Sequence, residues 1–256
     1  MTGHDSLPPQ ALSEMIGQAK MLVALTGAGL STSAGIPDFR GPNGLYVTRR
    51  YDPIRVFEID WFRRAPQNFY EFARDFATMA EMIQPTFSHR FLHRLEAKGV
   101  LAGIVTQNID LLHQKAGSEK VIELHGSFQS ATCLGCGQRF LDLTYSWWLE
   151  IMDNSLKKPI AQCACGSLLK PDIVFFGEQV RQYDEAEALI RNCDLLLVLG
   201  SSLNVTPASQ LPYETRAPTV IINRGEIILG AGENRFKVDA DLDWYLRKVA
   251  EHLGPD

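Results

Sequence analysis

The chain has 256 residues, 45% apolar and 21% charged, a globular composition at a length that suits one large domain or one domain with an inserted module. A formal charge of −5 opposes a general nucleic-acid binder, whose phosphate contacts need a basic face. Apolar runs such as LLLVL at 195–199 fall well short of the ~20 residues of a membrane helix. The opening MTGHDSLPPQ has neither the basic nor the apolar region of a secretory signal, so a cytoplasmic chain with no membrane partner is expected.

In chain order, helical spacing at 9–19 leads into MLVALT at 21–26, a short run apolar enough to be buried on both faces. Helical spacing returns at 66–82 and 87–98, followed by VLAGIVT at 100–106 and a short run at 121–124. Residues 183–191 are helical in pattern, LLLVL and TVII (219–222) are strands, and 242–253 closes the chain as a helix. Strands alternating with helices predict an α/β fold with a doubly wound, Rossmann-like parallel sheet. Two stretches break the rhythm: an aromatic helical segment at 41–85 and a cysteine-bearing segment at 127–170. Both are expected to leave the main sheet and together build a smaller helical and zinc-binding domain, the main domain taking 1–40, 86–126 and 171–256.

Four of the five cysteines form two tight pairs, Cys133-x2-Cys136 and Cys163-x-Cys165, which read as metal ligands rather than a disulfide frame. Four thiolates close a tetrahedron around zinc and leave no position for water, so a structural site is expected. A one-residue spacer in an extended strand points its two thiols to opposite faces, so the chain must turn sharply at Cys163. Cys193, beside LLLVL, reads as a small buried hydrophobe.

The strand exits carry the chemistry. MLVALT runs into Gly27-Ala28-Gly29-Leu30-Ser31, small residues that let the backbone approach a phosphate, with a helix N-terminus expected behind them. Thr32 stands where a dinucleotide fingerprint has its third glycine, which argues against an ordinary dehydrogenase. The other exits are Gln107-Asn108-Ile109-Asp110, His125-Gly126, Gly200-Ser201-Ser202 and Asn223-Arg224-Gly225. Ligands of open α/β sheets bind at such carboxyl ends, where strand order reverses. Gly35-Ile36-Pro37-Asp38-Phe39-Arg40-Gly41 suits a loop that orders over a ligand; its plain alternative is a capped turn with a surface salt bridge. His89 and His93 are spaced i, i+4 but lack the glutamate of a zinc-protease helix.

GAGLSTSAGIPDFRGPNGLY, then TQNID, HG, the cysteine pairs, KPDIVFFGE, GSSL and NRG closely resemble the sirtuin family of NAD-dependent protein lysine deacylases, over roughly residues 12–252. The resemblance implies that Gly27, Ala28, Gly29 and Ser31 cradle the NAD pyrophosphate and that Asp38, Phe39 and Arg40 belong to a cofactor loop. Gln107, Asn108, Ile109 and Asp110 would line the nicotinamide pocket, and Gly200, Ser201 and Ser202 would hold phosphate and ribose. Asn223, Arg224 and Gly225 would meet the adenosine ribose and Ala240 the adenine. His125 would be the general base, with Asn108 also catalytic. Ile173, Val174, Phe176, Gly177 and Glu178 would wall the acyl-lysine, a segment that otherwise reads as a buried core strand. NAD is then a consumed co-substrate, one structural zinc is bound, and the partners are acyl-lysine proteins or peptides, handled by a monomer.

Relatives that prefer acidic acyl groups resemble one another in a Tyr-x2-Arg pair. Here Tyr70 is followed three residues later by Ala73, with Arg74 one step on and turned by ~100° on a helix. Acetyl or a longer neutral acyl is therefore expected, leaving lysine, nicotinamide and O-acyl-ADP-ribose. The alternatives are an ADP-ribosyltransferase or a desuccinylase on the same scaffold.

Overall fold

The computed structural model describes residues 7–38, 44, 50–153, 159–225, 227, 230 and 234–254. Six parallel strands make the main sheet: β1 (Leu22–Thr26), β2 (Leu101–Thr106), β3 (Val121–Glu123), β7 (Leu195–Leu199), β8 (Thr219–Ile222) and β9 (Arg235–Val238). Their order is β3-β2-β1-β7-β8-β9. Every residue of β1, β7 and β8 is buried, including Thr26 and Thr219 at strand ends, as their near-continuous apolarity leads one to expect.

Alternation along the strands feeds two cores, one on each face. Leu22 and Ala24 face α1 (Pro9–Gln18), α5 (Phe87–Ala97) and α9 (Leu242–Leu253), through Leu12, Ile16, Phe91, Leu92, Leu246 and Val249. Val23 and Leu25 share the other core with Ala186 and Ile190 of α8 (Tyr183–Arg191). The short α6 (Leu112–Lys115) lies between β2 and β3 in the chain. The sheet is doubly wound, and its order reverses between β1 and β7. The carboxyl ends of those two strands therefore lie side by side at the switch point.

The chain divides into two compact units. One takes the described residues up to Ala34, Gln84–Leu124 and those from Gln182 onward; the other takes Gly35–Ile83 and His125–Arg181. The second has a three-stranded antiparallel sheet in the order β5-β4-β6, made by β4 (Gly126–Cys133), β5 (Arg139–Phe140) and β6 (Leu169–Ile173). Its helices are α2 (Pro53–Phe57), α3 (Ile59–Arg64), α4 (Gln67–Met82) and α7 (Tyr145–Asp153). The aromatics of α4 build its core: Phe69 lies 5.0 Å from Phe175 and Phe76 5.5 Å from Phe128, ring centre to ring centre.

Among the described residues no helix is long and apolar enough to cross a membrane. Strand β9 was not expected from the sequence. Its Arg-Phe-Lys-Val is an edge strand with three half-buried residues, so the apolar run that marks the central strands is missing.

Candidate functional site

The exits of β1 and β7 are packed on each other. The Gly27 N–H donates to Leu199 O at 3.0 Å and the Gly29 N–H to Gly200 O at 2.9 Å. A Cβ on Gly200, at φ +65°, would stand 2.3 Å from Leu30 N, and one on Gly27 2.8 Å from Gly200 O. Glycine is needed here because two backbones touch on the side a Cβ would occupy. The helix expected behind this loop is absent. Two 3-10 turns, Ala28–Leu30 and Thr32–Ala34, stand there instead, the first closing with Ser31 N–H on Ala28 O at 3.1 Å.

Side chains from the β2 exit complete the cluster. The Ser31 hydroxyl donates to Asp110 Oδ2 at 2.6 Å, and Asp110 Oδ1 accepts the Leu112 N–H at 3.0 Å. Asn108 Nδ2 donates to Gly27 O at 3.1 Å and Ser31 Oγ at 3.3 Å, while Gln107 Nε2 reaches Ser201 Oγ at 3.1 Å. Asp110 is buried, which pushes its carboxyl above the usual range against the opposing pull of the Ser31 and Leu112 hydrogen bonds. Gly27, Ser31, Gln107, Asn108, Asp110, Gly200 and Ser201 thus form one connected set at the switch point.

The remaining cofactor candidates sit at neighbouring exits and bond locally. Ser202 Oγ accepts from Asn204 Nδ2 at 3.1 Å, Asn223 Nδ2 donates to Arg224 O at 2.9 Å, and the Gly225 N–H meets Asp239 Oδ1 at 3.3 Å. Arg224 pairs with Asp241 at 3.4 Å. Ala28 and Ile109 are half-buried beside the connected set, and Ala240 is half-buried just after β9. Asp38 is half-buried; Phe39 and Arg40 lie outside the described residues.

Two features of the exits were missed. Leu111 and Leu203 adopt φ +60° and +57°, conformations costly for leucine that gather at functional loops, and each directly follows or borders a site residue. Leucine carries no turn signal, so nothing in the sequence marks them.

In the other unit, half-buried His125 precedes Gly126, whose φ is +65°. A Cβ on Gly126 would lie 1.9 Å from Asp172 O. The crossing of β4 and β6 takes the space a side chain at position 126 would need, and places His125 at its edge. His125 O accepts the Val174 N–H at 2.8 Å. The strap from Ile173 to Glu178 is held on several sides: Phe176 N–H donates to Phe57 O at 2.7 Å, and Phe176 O accepts from Ile59 N–H at 3.2 Å. Phe175 N–H meets Glu178 Oε2 at 2.9 Å. Phe176, 46% exposed, is the apolar side chain the strap presents to solvent, whereas Ile173 and Phe175 are core; Val174 is half-buried and Gly177 exposed.

Lys170, not anticipated, organises the strap. Its buried Nζ donates to Ile173 O at 2.7 Å and to Glu178 at 2.9 Å, and lies 4.3 Å from the Phe175 ring centre. Burial lowers the Lys170 ammonium's pKa, and the Glu178 charge opposes that shift.

The four cysteines converge, all sulfurs lying within 4.8 Å of one another. Cys133 and Cys165 are 3.5 Å apart, Cys136 and Cys163 3.8 Å. Zinc bonded to thiolates at about 2.3 Å requires sulfurs roughly 3.8 Å apart, so the set fits that ion. The one-residue spacer is accommodated by a turn in which Gly166 N–H donates to Cys163 O at 2.8 Å and Cys163 N–H to Ser167 O at 2.8 Å. Cys193 is buried apart from them.

Residues 27–207 match the family model described as Sir2 family. An NAD-dependent protein deacetylase of Thermotoga maritima is 43% identical over 246 residues, covering 94% of this chain and 96% of that protein. The chain belongs to the Sir2 family. An NAD-dependent protein deacylase 2 of Archaeoglobus fulgidus is 40% identical over 82% of this chain and 83% of its own length. Among solved structures, a Sir2 complex with a deacetylated p53 peptide and 3′-O-acetyl-ADP-ribose superposes with a TM-score of 0.86 at 38% identity, over 95% of this chain and 98% of that one. A Sir2 enzyme bound to a propionylated peptide gives 0.81 at 35% identity, over 95% and 98%. The fold, the strand order and the cysteine cluster described above are thus those of a Sir2-family chain.

Proposed function

We propose that this chain removes acetyl groups, and longer neutral acyl groups, from protein lysines in an NAD-dependent reaction that yields nicotinamide and O-acyl-ADP-ribose. The observation that carries the reading is the connected set of Ser31, Asn108 and Asp110 at the switch point of a chain nearly coextensive with NAD-dependent deacetylases. NAD supplies the ribose carbon that takes the acyl oxygen as nicotinamide leaves, and the ADP-ribose that finally carries the acyl group. Asn108 and Asp110 line the nicotinamide side, with Gln107 and Ile109 beside them. Ser31, Ala28, Ser201 and Ser202 face the phosphates and ribose, and Asn223 to Gly225 with Ala240 the adenosine. His125 takes the proton of a ribose hydroxyl as the general base. Val174, Phe176, Gly177 and Glu178 flank the acyl-lysine, whose methylenes need apolar contact, and Gly177–Glu178 offers backbone for strand addition. The four thiolates hold zinc as a structural ion.

Acyl preference follows from Tyr70. Its side chain is fully buried and its hydroxyl donates to Leu169 O, so it is committed to β6. Ala73 is buried on the same face of α4, and Arg74 is exposed. The position three residues after Tyr70 is thus alanine and not an arginine that could grip a distal carboxylate, which supports neutral over acidic acyl groups. A monomer acting in the cytoplasm without a nucleic-acid partner completes the reading, supported by the acidic composition.

Mass spectrometry of an acetyl-lysine peptide incubated with and without NAD tests it. NAD-dependent loss of acetyl with O-acetyl-ADP-ribose appearing is expected, and succinyl-lysine should turn over far more slowly. Consumption of NAD with the peptide untouched would replace the reading by an ADP-ribosyltransferase or glycohydrolase. His125→Ala should abolish deacetylation and keep NAD binding; wild-type turnover in that variant would remove His125 as the base.

A further inference from the structure

The ladder that carries His125 is broken once. Strands β4 and β6 pair at Cys133–Leu169, Thr132–Lys170 and Ala131–Pro171, and then again only at Gly126–Ile173. Between those pairs, Ser127 to Ser130 stand against Asp172 alone, a bulge in β4. An unbroken ladder would set Ile173 opposite Gln129. The bulge therefore brings Gly126 to Ile173, and it brings the His125 carbonyl to the Val174 N–H at 2.8 Å.

The backbone groups that the bulge takes away from β6 have other partners. Phe128 O accepts from Trp148 Nε1 of α7 at 2.7 Å, and Gln129 O accepts the Leu143 N–H at 2.9 Å. Across the bulge, on β6, the Asp172 carboxylate is 8% exposed. Its Oδ2 accepts the Ser130 hydroxyl at 2.6 Å and its Oδ1 the Thr132 hydroxyl at 2.9 Å. Residues 130 and 132 share one face of β4, so one carboxylate joins the last residue of the bulge to the regular ladder. A carboxylate only accepts, and so takes both hydroxyls at once. Arg181 at 3.3 Å and Arg139 at 4.0 Å offset its charge.

We propose that Asp172 is a positioning residue for the general base. By clamping Ser130 and Thr132 across the bulge, it fixes where β4 begins and hence the backbone from which His125 projects. The proposal rests on the reading of His125 as the base.

Two variants test the clamp and leave Thr132, next to Cys133, in place. Asp172→Asn keeps one carbonyl acceptor for two hydroxyls, and Ser130→Ala removes the bond at the bulge itself. Amide hydrogen exchange at Val174, whose N–H meets His125 O, reads the clamp without the reaction. Its protection should fall about tenfold in either variant, the order of one net hydrogen bond; wild-type protection in both overturns the proposal. Kinetically, kcat for deacetylation should fall about tenfold while the KM for NAD is unchanged. Labelled nicotinamide should still enter NAD at the wild-type rate when acetyl-peptide is present, because nicotinamide leaves before His125 takes its proton. Ser130→Thr, which returns the hydroxyl, should recover most of the loss. Equal falls in deacetylation and in nicotinamide incorporation make the clamp a stability feature only and overturn the proposal. If Asp172→Asn misfolds, Ser130→Ala and Ser130→Thr decide by the same readings. Wild-type turnover in His125→Ala would overturn the reading of the base and leave the Val174 result standing.

Discussion

The β1–β2–β7 exits in one unit and the 173–178 strap in the other are fixed by different physics. The exits are held by backbone contact between glycines and by uncharged side-chain hydrogen bonds, with Asp110 the one buried carboxyl. The strap is held by an aromatic core around Phe175 and by the Lys170–Glu178 pair. Under the proposed role in binding a multiply charged dinucleotide, the exits gain by carrying little charge of their own, because each fixed charge would have to be desolvated on binding. Under the proposed role in holding an acyl-lysine, the strap gains from apolar walls, and the buried Lys170 bonds the strap's own Ile173 carbonyl and Glu178.

The largest expected effect separates the two regions by one methyl group each. Gly126→Ala drives a Cβ into Asp172 O, where only backbone could yield, so the β4–β6 crossing should be lost at about 4 kcal/mol or more. Gly200→Ala does the same to the β1–β7 contact. Limited proteolysis should cut the 125–181 segment in the first variant and leave the 195–222 segment protected, with the reverse in the second. If either alanine variant melts like wild type, the close approach given for it is wrong.

Next in size is a pH effect confined to the exits' unit. His89 and His113 are lowered from 6.5 by burial, so the folded state keeps them neutral while the unfolded chain protonates them. Stability is therefore fully present above about pH 6.5. It falls with acidification by up to ~1.4 kcal/mol per pH unit and histidine until the folded-state value is reached. Melting curves between pH 7 and 4 should show this slope, and it should be halved in His113→Gln. A flat profile would mean that both rings reach water, and a halved slope in the wild type that one does.

How much of this was legible depended on the kind of signal. The central strands and the long helices 9–18, 67–82, 87–97, 183–191 and 242–253 announce themselves by apolar runs and period, and the structure places them within a residue or two. The cysteine spacing led to the cluster, and the sharp turn it demanded occurs at Gly166. What no local pattern reveals is a second demand on the glycines: the side a Cβ would take at Gly27, Gly29 and Gly126 belongs to the β7 exit and to β6. Lys170 was equally hidden: inside KPDIVFFGE a lysine reads as a solvent-facing charge, and only the pairing of β6 with β4 buries it.

Lys170→Met should cost about 1–3 kcal/mol, the price of leaving the Ile173 carbonyl and Glu178 without their partner. The kinetic loss should fall on the peptide KM and spare the KM for NAD, because the strap loosens while the exits stay intact. Lys170→Arg, which retains charge and donors, should recover part of the loss. Equal effects on both KM values would mean that the pair supports the fold at large.

The smallest expected change in stability carries the opposite sign. The Asp110 carboxyl is raised by burial, so its ionised form is penalised in the folded state, and that penalty lifts as pH falls through the raised value. Asp110→Asn removes the penalty at neutral pH. Asn Oδ1 can keep the Leu112 N–H, and Ser31 Oγ can turn to accept from the new amide. A gain of up to ~1 kcal/mol at pH 7 is expected, shrinking towards acid, where the wild-type carboxyl is itself neutral. The same substitution should raise the KM for NAD, since the nicotinamide side loses its anion. A protein stabilised and impaired together would show that the exits hold Asp110 charged against the preference of the fold. A variant that loses stability and keeps its NAD affinity would make the Ser31–Asp110 bond a structural tie.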